Sequence, residues 1–550
     1  MNITGRESTK RSAGLTLDHV WIFAAVAFIA LRALLTPIPP NDFWWHMATG
    51  RLIVGGGQIP TVDSFSYTRA GETFYNQSWL GQLLMYGIYQ LGGLPLVIMA
   101  QAALLAGTYG LLLRLCVRRT GRLRISVAFL LMATMPASFD NWIVRPQTYA
   151  LGLFVAYLYV LDGWRFGARG VGYRRHAAAA GGYATAAAGG HDTAAGRHVK
   201  GEAFAGQSGG STHGFWANAS PLLVLPLLGI IWVNLHGSFV LGGALIGLTF
   251  VGEGLRRLVA DRRTTPASDR PPLRQLALAG VLTGAAWLVN PGGFQVLGYV
   301  RNLLGSSAVT QLVTEWAPQT VRDTGGVIFF AFVIVGVALL AYAPRRPDPV
   351  EMLVAVAFFW LALGAVRNNI WFIAVATPLL VDQLASWLPR SEAPAFQGAP
   401  AINAALAGVI GLLLLLALPW VKPALGLPPD VGDLLAPNTP VAAVGFLKDD
   451  PRPPARIFHE MSYGSYLIWA DAGQKVWADP RIELYPLEQW LDYQRLSGGV
   501  NVDELLAKYG IDGLLLSAKS QESLVEYAQA RPQVWEQRYA DEQTMYFVRR

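Results

Sequence analysis

Eleven apolar stretches separated by short polar turns leave this chain few ways to fold: residues 19–38, 94–116, 123–139, 146–164, 219–235, 238–255, 273–290, 325–343, 350–366, 369–388 and 402–420. A helix needs about 20 mainly apolar residues to cross the hydrocarbon core of a bilayer, and most of these stretches meet that length. Hydrophobic residues make up 53% of the chain and charged ones 14%, with a mean hydropathy of +0.34, too little polar surface to cover a soluble globule of 550 residues. The expected fold class is a polytopic α-helical membrane protein of about 11 spans.

Charge sets the expected orientation. The N-terminal tail (1–18), the loop holding Arg118, Arg119, Arg122 and Arg124, the segment from Arg165, the loop with Arg256, Arg257, Arg262 and Arg263, and the Arg345-Arg346 turn are basic, and they alternate with arginine-poor loops. By the positive-inside rule the basic set is cytoplasmic, which puts the N-terminus inside and the C-terminal residues outside. This loop pattern also accounts for the net charge of +7, so nucleic acid is not an expected partner. The single cysteine, Cys116, excludes an intramolecular disulfide and a cysteine-based metal site. The apolar segment after the tail lacks a small-residue cleavage site and reads as a retained first helix.

Two regions interrupt the helical pattern. Residues 165–214 form a Gly/Ala-rich cytoplasmic insertion with too few large apolar side chains to offset the entropy of ordering, and its His176, His191, His198 and His213 have no metal-ligand spacing. After a Pro-rich linker (421–440), residues 441–550 alternate β-prone runs (456–458, 466–469, 475–477, 513–516, 545–548) with helical patterns (487–496, 502–509, 521–530), which predicts a small α/β domain. Asp479, Arg481 and Glu483 alternate at strand period and read best as a solvated strand edge.

The unusual polar residues gather at the turns opposite the basic ones. Asp42 and His46 open the first outer loop (39–93), Asp140, Asn141 and Arg145 fill the second, Asn234 and His236 the third, Asn290, Glu315 and Arg322 the fourth, and Arg367, Asn368 and Asn369 the fifth. Ionisable groups at the rim of a helical bundle are costly unless paired or facing a wet cavity, so a shared polar pocket is expected. Asp, Glu, Arg and His together suit an anionic ligand and a proton acceptor. Plainer roles stand beside these: Asp42 can cap a helix over 43–54, with His46 one turn along the same face, Trp44 and Trp45 suit an interfacial belt or a sugar-stacking platform, and His236 can make a tight turn. Two amphipathic segments, 44–54 and 79–91, can lie flat on the bilayer. Gly55-Gly56-Gly57 precedes no strand-to-helix unit and reads as a turn, so no nucleotide-binding glycine motif is present.

The motifs NDFWWHMATG, IPTVDSFSYT, QSWLGQLL, VRPQTY, WVNLHGSF, VNPGGF, TEWAP and RNNIWF, over residues 20–390, resemble the GT-C superfamily of integral-membrane glycosyltransferases, and most nearly the bacterial protein-mannosyltransferase-like and RgtA/B/C/D-like proteins. The segment GSYLIWADAGQKVWADPRIELY is similar to the tail of the same bacterial proteins. The resemblance implies transfer of a sugar from a polyprenyl-phosphate donor to a glycan, lipid or protein acceptor on the extracytoplasmic face of a bacterial inner membrane. Asp42 matches the family's catalytic base. Many members carry two adjacent acids where this chain has Asn41-Asp42, which leaves open whether a divalent metal ion takes part; Asp63 and Glu315 are the available second carboxylates. Arg367, Arg145, His46 and His236 are the candidates for the donor phosphate, and Trp44, Trp45, Asn234, Asn290 and Asn368 the other expected cavity residues. A flippase for a lipid-linked saccharide and a non-catalytic lipid-binding scaffold of the same fold are the alternatives; transport would call for internal repeats and mid-bilayer charges.

Overall fold

The computed structural model describes residues 14–167, 220–259, 272–305, 314–389, 396–471 and 473–550. The histidines of the 165–214 insertion lie outside the described residues. Each of the eleven apolar stretches holds a helix. Among the described residues five helices are long and apolar enough to cross a membrane, among them Leu17–Leu34, Thr324–Tyr342 and Val366–Trp387, and five further apolar helices are shorter. The protein is a multi-pass membrane protein.

Local sequence explains the element ends. Helix α1 (Leu17–Leu34) starts at Thr16, whose side chain accepts from the His19 N–H, and α2 (Asp42–Gly56) stops at Gly57, which takes the left-handed conformation at φ 64°. Helix α3 (Trp79–Thr120) is broken at Gly92-Gly93, where Gly93 has φ 65°, so an amphipathic arm ending before the break leads into a buried apolar helix. After α4 (Leu123–Asn141), Pro146 opens α5 (Pro146–Phe166) and holds Arg145 in an extended conformation just ahead of it. α3 packs against α1, α2 and α5, and the Asn369–Trp387 helix, nearly all of it buried, packs against α3 and α4.

The expectation that 44–54 lies flat on the bilayer is not met. α2 is helical, but Phe43 through Gly50 are all buried, because the helix is sandwiched between α3 and the Met461–Ala470 helix of the C-terminal region. Two adjacent indoles and a phenylalanine cannot share one face of a helix, so burial on several sides was the packing that suited them.

Residues beyond 441 build a four-stranded sheet in the order β1-β2-β4-β3, from β1 (Ile457–His459), β2 (Gly513–Ser517), β3 (Trp535–Ala540) and β4 (Thr544–Arg549). β1 and β2 are parallel and the other pairings antiparallel. The three predicted helices form, as do the strands near 457, 514 and 546. Tyr466–Trp469 is helical instead of extended: Glu460 caps the helix by accepting from the Ser462 and Tyr463 N–H groups, and an apolar run this short does not distinguish strand from buried helix. Residues 475–477 make a single bridge, Ser66 to Val476, to the first outer loop. β3 was missed because it is an edge strand with a register shift between Gln537 and Tyr539.

Candidate functional site

A cavity of about 620 Å³ opens where the bundle meets the C-terminal region. Asp42, Trp45, His46, Arg145, His236, Glu315, Arg367 and Asn368 line it, so residues from all five arginine-poor loops converge. Helix N-termini surround it: Asp42 is the first residue of α2, Arg145 precedes α5, His236 caps the turn into the Val240–Val259 helix, and Arg367 sits in the turn before the Asn369–Trp387 helix. Unpaired N–H groups and helix dipoles make such ends favourable to an anion.

Arg145 is the hub. Its Nη1 donates to both carboxylate oxygens of Glu315, at 2.7 and 2.8 Å, and lies 3.9 Å from Asp42 Oδ2. Its side chain is 5% exposed, whereas Asp42 and Glu315 keep 31% and 26%, which open on the cavity. Burial raises the Asp42 carboxyl above the usual range; Arg145 opposes that shift and Glu315 adds to it. For Glu315 burial pulls the same way, but Arg145 and Arg367 outweigh it and hold the carboxyl below its ordinary value. Two carboxylates facing one guanidinium are thus split into a weaker acid and a stronger one, the pattern expected where one must exchange a proton and the other stay charged.

Arg367 Nη2 donates to Gln147 Oε1 at 3.2 Å, and its guanidinium lies 4.9 Å from the Trp316 ring centre. It makes no ion pair among the described residues. Burial, with Arg145 and Arg481 adding to it, pushes the His46 imidazole well below its usual range, and burial with Arg367 and Arg145 does the same to His236. Both rings are therefore neutral near pH 7. His236 Nδ1 accepts the Ser238 N–H at 3.1 Å, and His46 Nδ1 faces the Gln82 amide at 3.3 Å, which leaves Nε2–H as the remaining donor on each ring.

Several expected residues stand elsewhere. Asp63 does not line the cavity: it pairs with Arg481 Nη2 at 2.6 Å and accepts from the Ser66 N–H and hydroxyl, a closed buried knot. Trp44 is buried edge-to-face on Tyr466, because only Trp45 of the pair points at the cavity from α2. Asn234 accepts from the Trp79 indole and donates to two backbone carbonyls, and Asn290 accepts the Tyr75 hydroxyl and closes its own turn, so both are structural. Arg322 is exposed, and the side chains of Asp140 and Asn141 lie outside the described residues. Asn41, not Asp42, is the residue preceding α2, and the partner of Asp42 along the helix is the Trp45 indole at 3.4 Å, not His46. Asp42 and Glu315 both face Arg145, and no three His, Cys, Asp or Glu side chains group as metal ligands among the described residues, so the donor set present does not fit a divalent ion.

The C-terminal region contributes a wall that the strand-edge reading missed. Arg481 and Glu483 line the cavity with Ser462, Trp490 and Tyr493. Arg481 is 2% exposed and bound to Asp479 and Asp63, in a loop leading to a short helical turn and not on a strand. Its alternation with Asp479 was visible in the sequence; the partner 418 residues away was not.

No known family profile matches the sequence, and no curated protein matches it. Solved structures do. The apo oligosaccharyltransferase of Archaeoglobus fulgidus superposes with a TM-score of 0.53 at 12% identity, covering 92% of this chain and 71% of that one. The same organism's AglB, in complex with an inhibitory peptide and a dolichol-phosphate, gives 0.51 at 12% identity over 93% and 71%. ArnT from Cupriavidus metallidurans in the apo state gives 0.49 at 15% identity over 96% and 97%. At these identities the likeness is one of fold: this chain shares the fold of the Archaeoglobus fulgidus oligosaccharyltransferase.

Proposed function

We propose that the protein is a membrane glycosyltransferase that moves a sugar from a polyprenyl-phosphate donor to an acceptor hydroxyl on the extracytoplasmic face, with Asp42 as the base. One observation carries the reading: the Asp42 carboxylate borders a cavity ringed by Arg145, Arg367 and two neutral imidazoles, at the end of an apolar bundle. The fold likeness to a transferase whose complex contains dolichol-phosphate supports the choice of donor.

In this reading Asp42 takes the proton from the acceptor hydroxyl as its oxygen bonds to the anomeric carbon. The bond from that carbon to the phosphate oxygen breaks, and the phosphate leaves with the electron pair. Arg367 meets the charge that develops there, with His46 and His236 as neutral N–H donors; such donors are worth roughly 2.7 to 4 kcal/mol each when aimed at the transition state. Arg145 keeps Glu315 ionised and stays close enough to Asp42 to temper its basicity. Trp45 offers its ring at the cavity wall as a stacking surface for the sugar.

The test uses full-length protein in detergent with a polyprenyl-phosphate hexose. D42N should bind polyprenyl phosphate as the parent does yet release it from the donor about 10²- to 10⁴-fold more slowly. Release at the parent rate would end the assignment.

A further inference from the structure

The first turn of α2 is bridged by a side chain from a distant part of the chain. In a regular helix the carbonyl of one residue accepts the N–H four residues on, as the Thr16 carbonyl accepts the Val20 N–H at 3.2 Å where α1 begins. The equivalent pair in α2 is the Asn41 carbonyl and the Trp45 N–H. Here the Asn41 carbonyl accepts the Ser465 hydroxyl at 2.5 Å, and the Ser465 oxygen accepts the Trp45 N–H at 3.0 Å. Ser465 is fully buried in the Met461–Ala470 helix of the C-terminal region. The Asn41 side chain makes no capping bond, and its backbone, at φ −86° and ψ −141°, lies off the usual helix-start conformation.

The bridged turn is the one that carries Asp42. Trp45 is gripped at its backbone by Ser465 and at its ring by the Asp42 carboxylate, while Arg481 backs the ring at 5.9 Å. Trp44, between them, stacks on Tyr466, the residue after Ser465. A hydroxyl wedged into a helical turn widens it and changes the direction of the side chains on it. We infer that Ser465 is a positioning residue: a hydroxyl from the C-terminal domain completes the turn bearing Asp42, so the docked domain sets the aim of the carboxylate. This rests on Asp42 being the base.

Alanine at 465 lets the Asn41 carbonyl and Trp45 N–H close directly, which tightens the turn and swings Asp42 away from Arg145. The assay is release of polyprenyl phosphate from the polyprenyl-phosphate hexose by the full-length protein, as a function of pH. S465A should lower kcat about tenfold or more with KM little changed, the size of effect that a misaimed catalytic group produces. Its acid limb should move to higher pH, because Asp42 loses the nearby cation that offsets its burial. Thr68→Val is the control for docking alone: the Thr68 hydroxyl donates to the Trp477 carbonyl at 2.6 Å on the same interface, away from the first turn of α2. T68V should leave kcat and the acid limb in place. Parent behaviour in S465A overturns the inference, and so do equal losses in S465A and T68V with an unmoved acid limb. An inactive D42N beside an unchanged S465A removes this inference alone; an active D42N removes the base assignment and this inference with it.

Discussion

The two ends of α5 carry two clusters of charge that treat their arginines in opposite ways. At its C-terminal end Arg165 pairs with Glu253 at 2.9 Å, Asp348 at 2.8 Å and Glu351 at 3.6 Å, while Arg119 bridges Asp162 at 2.5 Å and Glu351 at 2.8 Å. About 30 Å away along the helix, at 1.5 Å per residue, Arg145 holds one carboxylate tightly and a second loosely, and Arg367 holds none among the described residues. The first cluster uses its charges on itself and locks four helices together. The second leaves positive charge and one weakly held carboxylate turned toward a cavity. Buried charge alone therefore does not mark a site; what marks it is charge left uncompensated by the protein.

The largest expected difference comes from deleting the loosely held carboxylate. D42N should cut turnover by about 10²- to 10⁴-fold, the range for losing a general base, with thermal unfolding in detergent unchanged. A fall in stability instead would mean that Asp42 belongs with the structural cluster. Next comes R165M, which takes from Glu253, Asp348 and Glu351 the one cation they share and should cost about 3–5 kcal/mol of stability while the folded fraction keeps its turnover. If unfolding is unaffected, the locked cluster is not what holds that end. R367M should lower turnover about 10²- to 10³-fold and spare stability, since it removes a cation that makes no ion pair among the described residues.

The smallest effect is in the pH profile. Because burial raises the Asp42 carboxyl, the base is protonated at a higher pH than an ordinary aspartate, and the rate should fall as pH drops through that raised value. R145Q removes the opposing cation, so its acid limb should move up by about one pH unit. A limb that moves down would show that Arg145 does not act on Asp42.

Much of this was legible before any coordinates. Each of the eleven apolar stretches read from segment length holds a helix, and Arg145, His236, Glu315 and Arg367, picked out at the arginine-poor turns, line one cavity. Asn234 and Asn290 obey the same rule yet spend their side chains on backbone carbonyls and on Trp79 and Tyr75, which loop position cannot reveal. Asp63 and Arg481 were each visible as charged residues, but their pairing spans the first loop and the C-terminal region and turns a candidate second carboxylate into a fastener. The wall formed by Glu483, Trp490 and Tyr493 carries no motif, because cavity lining depends on how a domain docks.

Apolar segment length determined the helical bundle, and the bilayer's intolerance of unpaired polar groups determined that ionisable residues collect at its ends; both follow from local sequence. Which end closes on itself and which stays open, and that Asp42 rather than Asp63 meets the cavity, was decided only by tertiary structure. Those outcomes rest on contacts such as Ser465 with Asn41 and Arg481 with Asp63, between residues more than 400 positions apart, whose side chains are specified by each other and not by their neighbours in the chain.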